Sequence, residues 1–319
     1  MSCTDTTHVH TGLLATVGET PLVELSKLSP RPGVRLFAKL ESENPTGSIK
    51  DRVALAMIDA AEDSGDLYPG RTILEPSSGN TGIALAMIGR VRGYPVRIVL
   101  PESATPERVK LLKLFGADIV FSPGEYGSNG AVELARELAA EDSSLYMPFQ
   151  YGNPANPEAH YCGTAVEILR DCPQVDVFVA GLGTGGTLMG CARRLREANR
   201  DVQIIAAEPL AGDPVSGLRS LEDGYTPEVL DVTQLDRKLL VTNEDALAGL
   251  RLLAREEGIF AGVSSGGVLD VAMRVGAELD GPANVVMVFP DGGWKYLSAG
   301  LWDREETELL SDMESRIWW

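Results

Sequence analysis

The sequence is poor in cysteine, histidine and aromatic residues. Its 319 residues include 4 cysteines and 3 histidines, and 6% of the residues are aromatic. The cysteines, which form neither a C-x-x-C pair nor a zinc-ligand pattern, are Cys3, Cys162, Cys172 and Cys191. Because disulfide frameworks and cysteine-based metal centres need such spacings, both are disfavoured. We therefore expect reduced thiols, no bound metal and a cytoplasmic protein.

Positive charge is also scarce. Lys and Arg number 28 against 46 Asp and Glu, which gives a formal net charge of −18. This balance disfavours nucleic acid and anionic membrane surfaces as partners. We also expect no signal peptide, and no apolar run is long enough to span a bilayer. In so negative a chain, an anionic substrate would need a local cationic pocket.

Predicted strands and helices alternate along the chain. Strands are predicted at 35–41, 72–75, 96–100, 118–121, 175–180, 202–208 and 285–289, with helices between them. Strands joined by helical crossovers indicate an α/β fold with parallel sheets and helices on both faces. The two sets of strands predict a smaller domain at 36–152 and a larger one formed by 1–35 with 153–319. Gly and Pro cluster at the seam between them.

The segment NPTGSIKDR, at 44–52, places a lysine just inside a turn-to-helix junction. Pro45 and Gly47 are typical of a tight turn, and Ser48 is a candidate cap for the helix. Lys50 would lie on the first helical turn, where the helix dipole favours its neutral amine. Schiff-base chemistry needs such a positioned, neutral amine. A lone lysine at a helix start is usually a solvated surface residue, so the interpretation depends on the other loops.

Three further loops have the same design of strand, Gly/Ser/Thr turn and helix. They are SSGNTG at 77–82, GLGTGGT at 181–187 and GVSSGG at 262–267. Such a loop directs backbone N–H groups from a helix N-terminus toward an anion. Each loop alone is weak evidence, because tight strand-to-helix turns use the same residues for packing.

The second loop also fits a rival interpretation. Gly181, Gly183 and Gly186 match G-x-G-x-x-G, and Glu208 ends the following strand at the spacing of a ribose-binding acid. This pattern alone predicts an NAD-dependent dehydrogenase. However, the fingerprint normally occupies the first strand-to-helix turn of its domain, and a dehydrogenase gives no role to Lys50.

NPTGSIKDR, SSGNTG and GTGGT occur together and in this order, and they resemble the cysteine synthases of the pyridoxal-phosphate β-elimination family. The likeness extends to QYGNPAN at 150–156 and DGGWKYLS at 291–298, and it is greatest to the O-phosphoserine-dependent cysteine synthases (O-phosphoserine sulfhydrylases) of actinobacteria. Ser77 departs from the more usual threonine but keeps the hydroxyl. The resemblance implies a two-domain fold type II enzyme, similar to the tryptophan synthase β-subunit, with mostly parallel twisted sheets flanked by helices.

The resemblance also implies roles for individual residues. Lys50 would form a Schiff base with pyridoxal 5′-phosphate, Asn80 would bind the ring hydroxyl, and Ser264, rather than Ser265, would meet the ring nitrogen. The residues implied to hold the cofactor phosphate are Gly183, Thr184, Gly185, Gly186 and Thr187. Those implied to hold the substrate carboxylate, on a mobile loop and beside it, are Ser77, Ser78, Thr81 and Gln150.

The implied reaction replaces the β-substituent of O-phosphoserine or O-acetylserine with sulfur, through an α-aminoacrylate intermediate, to give L-cysteine. Lys50 would be the base that removes the α-proton. Arg219 matches the arginine that phosphoserine-using relatives place at the substrate, and a guanidinium can hold a phosphate bidentately. This favours O-phosphoserine. A reaction like that of cystathionine β-synthase is left open.

The implied partners are a second copy of the chain in a homodimer and either sulfide or a thiocarboxylated carrier protein as sulfur donor. An acidic helix is predicted at 303–316, and the chain ends in Ile317-Trp318-Trp319. Exposed tryptophans at a chain end are unfavourable unless they dock. We expect this tail to be a lid over the active site or an anchor at a dimer interface.

Overall fold

The computed structural model describes residues 9–77, 79–124 and 127–302. Ser78 and the C-terminal tail therefore lie outside the described residues. The strands of the described part are β1 (Leu22–Glu24), β2 (Val34–Leu40), β3 (Thr72–Pro76), β4 (Val96–Pro101), β5 (Asp118–Ser122), β6 (Leu145–Tyr146), β7 (Val177–Gly181), β8 (Gln203–Pro209), β9 (Arg237–Val241) and β10 (Ala283–Phe289).

These strands form two sheets. The larger has the order β1-β2-β10-β7-β8-β9, and the smaller has the order β5-β4-β3-β6. Every pairing is parallel except that of β1 with β2. The predicted α/β class with parallel sheets and flanking helices is confirmed.

The helices of the described residues are α1 (Lys50–Ser64), α2 (Asn80–Arg92), α3 (Pro106–Leu114), α4 (Gly127–Glu141), α5 (Ala155–Ala159), α6 (Ala165–Asp171), α7 (Gly186–Ala198), α8 (Asn243–Leu252) and α9 (Val263–Glu278). One π-helical turn, His160–Thr164, joins α5 to α6, and another, Leu253–Glu257, follows α8. None of the described helices is long and apolar enough to cross a membrane. Within the same ranges, no group of three or more His, Cys, Asp or Glu side chains is arranged so that it could hold a metal ion.

The predicted strands agree with the observed ones within about two residues, but three short or exposed strands were not predicted. β1 and β6 span three and two residues, too few for a periodic pattern. β9 is missed because its residues are mostly exposed and carry two cations. β2 belongs to the larger sheet, whereas the predicted domain boundary at residue 36 cuts through it. The domain ranges themselves stay a prediction.

The larger sheet is covered on both faces, as its alternating side chains show. Val179 and Ile205 point into one apolar core with α8 and α9, while Phe178 and Ile204 point into a second core with α7. Neighbouring side chains of a strand face opposite sides, so a run of apolar residues serves two cores at once. The carboxyl ends of the parallel strands are left free to carry loops.

A buried network of charges fixes the start of α1. The Arg52 guanidinium donates to Glu41 at 2.7 Å and to Glu167 at 2.6 Å, and Lys39 lies 2.8 Å from Glu167. Burial raises the pKa of Glu167, but Arg52 and Lys39 more than offset it and lower the pKa to about 2. These contacts join β2, α1 and α6 next to Lys50.

The start of α1 differs in detail from the prediction that Ser48 caps it. Ile49 occupies the cap position without a side-chain cap bond, and Ser48 Oγ is a long 3.4 Å from the Lys50 N–H. The Asp51 carboxylate instead accepts hydrogen bonds from the backbone N–H and the hydroxyl of Thr46. These two hydrogen bonds join the turn that contains Thr46 to the first turn of α1.

We predict that Arg52→Met lowers the free energy of unfolding by about 3–5 kcal/mol, because it leaves two buried carboxylates with one cation. Urea denaturation followed by circular dichroism measures this loss. The matched control is Arg237→Met, which removes a half-exposed ion pair with Glu278 and should cost less than about 1 kcal/mol. Equal small losses in both variants would contradict a stabilising role for the network.

Candidate active site

A cavity opens where the carboxyl ends of β3, β7 and β10 meet, between the two sheets. Such crevices are the usual ligand sites of open α/β sheets. The predicted site residues that line it are Lys50, Ser77, Asn80, Thr81, Gln150, Gly183, Thr184, Gly185, Thr187, Arg219 and Ser264. The fold thus brings together residues that are spread over more than 200 positions of the chain.

Lys50 is held at the cavity by a short antiparallel pairing with the segment after β10. The Ile49 N–H donates to the Pro290 carbonyl at 2.8 Å, and Ser48 forms a β-bridge with Asp291. Gly47 has a φ of 75°, and a Cβ there would lie 2.7 Å from the Trp294 ring. Only glycine fits this turn, which accounts for its place in NPTGSIKDR.

The environment of Lys50 favours a neutral amine. Burial lowers the pKa of Lys50 to about 8, partly offset by the Asp291 carboxylate. The cause is desolvation of the charged form, not the helix dipole that the position of Lys50 in the sequence suggests. Lys50 lines the cavity and keeps some exposure there. A lysine in this condition can act as a nucleophile and as a base near neutral pH.

The loop at 183–187 leads into α7, and the first backbone N–H groups of a helix have no intrahelical acceptor and can bind an anion. Gly185 has a φ of 87°. A Cβ on Gly186 would come within 1.9 Å of Asn156 Oδ1, so this glycine packs behind the cavity instead of lining it. Asn156 Nδ2 donates to Thr184 Oγ1 at 2.9 Å, and Thr187 Oγ1 lies 3.3 Å from a His160 ring nitrogen.

The loop after β3 also lines the cavity. Ser77 Oγ accepts hydrogen bonds from the Gly79 N–H at 3.2 Å and the Gly82 N–H at 3.0 Å. Thr81 Oγ1 donates to Gln150 Oε1 at 2.7 Å, which joins two of the predicted substrate residues. Ser77 therefore caps α2 through its oxygen, and its own proton is left for another acceptor.

Glu75 holds the backbone that carries Gln150. Its carboxylate accepts from the N–H groups of Phe149 and Gln150, at 2.7 and 3.0 Å. Phe149 has a φ of 54°, an unusual backbone for a bulky residue. Burial raises the pKa of Glu75 to about 7 in spite of these donors. Glu75 could not be identified from the sequence, because a glutamate at a strand end is normally exposed.

Asn80 begins α2 and reaches across the cavity to the end of β10. Its Nδ2 donates to Asp291 at 2.8 Å, and its Oδ1 accepts from Lys295 Nζ at 2.7 Å. Tyr296 also donates to the Asp291 carboxylate, at 2.9 Å. In the sequence, Asp291, Lys295 and Tyr296 belong to DGGWKYLS, and that motif predicts no role for them individually. Their proximity to Asn80 depends on how the two sheets meet, which no local pattern encodes.

The two candidate serines of the third loop differ in position. Ser264 lies in the first turn of α9 and lines the cavity. Ser265 is buried away from the cavity, and its hydroxyl has no hydrogen-bond partner among the described residues. The geometry thus favours Ser264 as the hydroxyl that meets a ligand.

Two arginines line the same cavity. Arg219 is 8% exposed, lies 5.3 Å from the ring centres of Tyr151 and Tyr225, and donates to Asn129 at 3.2 Å. Arg108 packs over Tyr296 and against Gly79, and its buried Nε has no hydrogen-bond partner. Within the described residues, neither guanidinium has a carboxylate at ion-pair distance. Both are therefore available to an anionic ligand.

Comparison with known proteins identifies relatives of the chain. The family model described as "Pyridoxal-phosphate dependent enzyme" matches residues 13–291. Cysteine synthase B of Pseudomonas aeruginosa is 42% identical over 288 residues, which are 90% of this chain and 96% of that protein. A probable cysteine synthase of Bacillus subtilis is 42% identical over 298 residues, again 90% and 96% of the two chains. The crystal structure of O-ureido-L-serine synthase has a TM-score of 0.87 at 36% identity and covers 95% of this chain and 99% of that chain.

The family match replaces the dehydrogenase interpretation of the second loop. Glu208, the candidate ribose-binding acid, is instead paired with Lys238 at 2.8 Å and accepts the Leu221 N–H at 2.7 Å. It is therefore committed to contacts within the protein.

Enzymes of this family use pyridoxal 5′-phosphate, and the cavity has the groups that such a cofactor needs. Lys50 offers an amine of lowered pKa for the aldehyde, the loop at 183–187 offers backbone N–H groups and threonine hydroxyls for the phosphate, and Ser264 offers a hydroxyl for the ring nitrogen. When bound, the cofactor supplies the electron sink for chemistry at an amino-acid α-carbon. The residues present fit the cofactor.

We predict that Lys50 is the most reactive lysine of the cofactor-free protein between pH 7 and 9. Its pKa of about 8 means that its neutral fraction rises through this range, whereas an unperturbed lysine becomes neutral near about pH 10.4. Short pulses of amine acetylation at several pH values, quantified by peptide mass spectrometry, measure the midpoint. A midpoint near pH 10 would contradict the buried, neutral amine.

Proposed function

Because this chain belongs to the family of pyridoxal-phosphate-dependent enzymes, we propose that it is a cysteine synthase. It would replace the β-substituent of a serine derivative with sulfur. The two curated relatives, each 42% identical across nearly their whole length, carry the name cysteine synthase, which supports this assignment. The chain's own contribution would be to bind the amino acid, move its α-proton and hold its leaving group.

Lys50 is the base in this proposal. Its Nζ takes the α-proton of the bound amino acid, and its lowered pKa keeps a useful fraction of the amine neutral at physiological pH. Ser77, Thr81 and Gln150 would hold the substrate carboxylate. Ser77 and Gln150 offer a hydroxyl and an amide donor, and the Thr81 hydroxyl, which donates to Gln150 Oε1, orients that amide. The amino acid would then lie with its α-carbon near Lys50 and its side chain directed toward Arg219.

The observation that carries the choice of substrate is the environment of Arg219. This guanidinium is buried between two tyrosine rings, faces the cavity and has no carboxylate partner among the described residues. A buried cation without a counter-ion is costly, and a phosphate in the cavity would supply the missing charge. We therefore infer that O-phosphoserine is preferred over O-acetylserine, whose acetyl group carries no charge.

The remaining parts of the proposal concern the nucleophile and the assembly. Sulfide or a thiocarboxylated carrier protein would deliver the sulfur, and the enzyme would work as a cytoplasmic homodimer. Adding homocysteine in place of sulfide distinguishes a cystathionine-forming reaction from cysteine formation. Analytical ultracentrifugation distinguishes a dimer from a monomer.

We predict that Arg219→Ala lowers kcat/KM for O-phosphoserine about 10- to 100-fold and leaves kcat/KM for O-acetylserine nearly unchanged. The lost charge-assisted contact is on the order of 1.5–3 kcal/mol. Steady-state kinetics with both substrates and sulfide measure the two ratios. Arg219→Lys keeps the charge but loses the bidentate geometry, so it should recover only part of the rate.

The matched control is Arg136→Ala. Arg136 lies near the site, over the Phe149 ring, but it is half-exposed, pairs with Glu228 at 3.7 Å and does not line the cavity. This variant should keep both kcat/KM values within about twofold, as expected for an exposed pair. If Arg219→Ala loses activity equally with both substrates, Arg219 is a structural residue and the phosphate assignment is wrong.

A further inference from the structure

The amide of Asn80 is held between a group that can only donate and a group that can only accept. Lys295 Nζ donates to Asn80 Oδ1 at 2.7 Å, and Asn80 Nδ2 donates to Asp291 at 2.8 Å. A lysine ammonium has no acceptor, and an ionised carboxylate has no donor. The oxygen of the amide must therefore face Lys295 and its nitrogen must face Asp291.

This chemistry removes an ambiguity that most asparagines have. A side-chain amide can flip by half a turn and exchange its oxygen and nitrogen. In Asn80 such a flip would place the amide oxygen against the Asp291 carboxylate and the amide N–H groups against the Lys295 ammonium. Both hydrogen bonds would then be lost. The Asn80 Nδ2 carries two N–H groups, and one of them is bonded to Asp291. The second has no partner among the described residues, and the Asn80 side chain lines the cavity.

We propose that Lys295 and Asp291 are positioning residues, which orient the Asn80 amide so that its remaining N–H is the donor offered to the ring oxygen of the cofactor. This inference rests on the proposed function, in which Asn80 contacts that oxygen. A donor at this place stabilises the negatively charged form of the oxygen over the protonated form. Lys295 itself does not line the cavity, so it acts through Asn80.

The surroundings of Lys295 support its role in orienting the Asn80 amide. The side chain is fully buried, and its other polar contact is a long one, 3.4 Å to the Gly47 carbonyl. Its Nζ lies 5.0 Å from the Trp294 ring centre. Burial lowers the pKa of Lys295 to about 8, although the Asp291 and Asp51 carboxylates favour its charge, so the side chain is mostly an ammonium at neutral pH. The described residues give it no ion pair within 4.0 Å. Its shortest hydrogen bond is therefore the one to Asn80.

The test is a double-mutant cycle on the cofactor-free protein. We expect Lys295→Met to weaken the affinity for pyridoxal 5′-phosphate about 3- to 10-fold, the range of one lost hydrogen bond. It should also shift the bound cofactor's absorption toward the form with a protonated ring oxygen. Lys295→Arg, which again can only donate, should restore the wild-type spectrum. Equilibrium titration and absorption spectra supply both readouts.

The cycle separates positioning from general stability. In an Asn80→Ala background, Lys295→Met should change neither affinity nor spectrum further, because its effect passes through the missing amide. Equal effects of Lys295→Met in both backgrounds would overturn the inference. If Lys295→Met does not fold, Lys295→Gln carries the same test, since glutamine can both donate and accept. Wild-type protein that binds no cofactor would instead refute the proposed function.

Discussion

The short antiparallel pairing of residues 47–49 with residues 290–292 is the constraint on which the site depends. It joins the turn before α1 to the loop after β10, and so fixes Lys50 at the carboxyl end of the larger sheet. The same segment carries Asp291, and the 3₁₀ helix that follows it, Gly293–Ala299, carries Lys295; both side chains reach Asn80. One backbone contact thus links the Lys50 amine, the Asn80 amide and both sheets.

The cavity contains buried positive charge, in contrast to the net negative charge of the chain. The chain is strongly acidic, with a net charge of −18, yet the cavity is lined by Lys50, Arg108 and Arg219. In an overall negative field, only desolvated and locally oriented cations can attract an anionic substrate. The Arg52 network nearby has its carboxylates satisfied, whereas the two cavity arginines do not have carboxylate partners among the described residues. The presence or absence of a carboxylate partner therefore distinguishes the structural Arg52 from the two arginines that face the cavity.

The α/β class and most strands could be predicted because buried parallel strands are continuous apolar runs, as in 285–289. The glycine loops could be located because their backbone geometry restricts the residue type, as Gly47 shows. The contacts of Asp291 and Lys295 could not, since they join residues more than 200 positions apart. Nor could the burial of Arg52, because charged side chains are usually exposed and only the fold shows which are not. The tail at 303–319 lies outside the described residues, so the choice between lid and anchor stays a prediction.

The central claim is that the cavity carries out sulfur-for-phosphate replacement at the β-carbon of a serine derivative. The most direct measurement incubates the cofactor-loaded protein with O-phospho-L-serine and sulfide and quantifies the products by mass spectrometry and phosphate assay. The account predicts cysteine and inorganic phosphate in equal amounts, with formation dependent on sulfide. Pyruvate and ammonia in place of cysteine, or no release of phosphate, would contradict it.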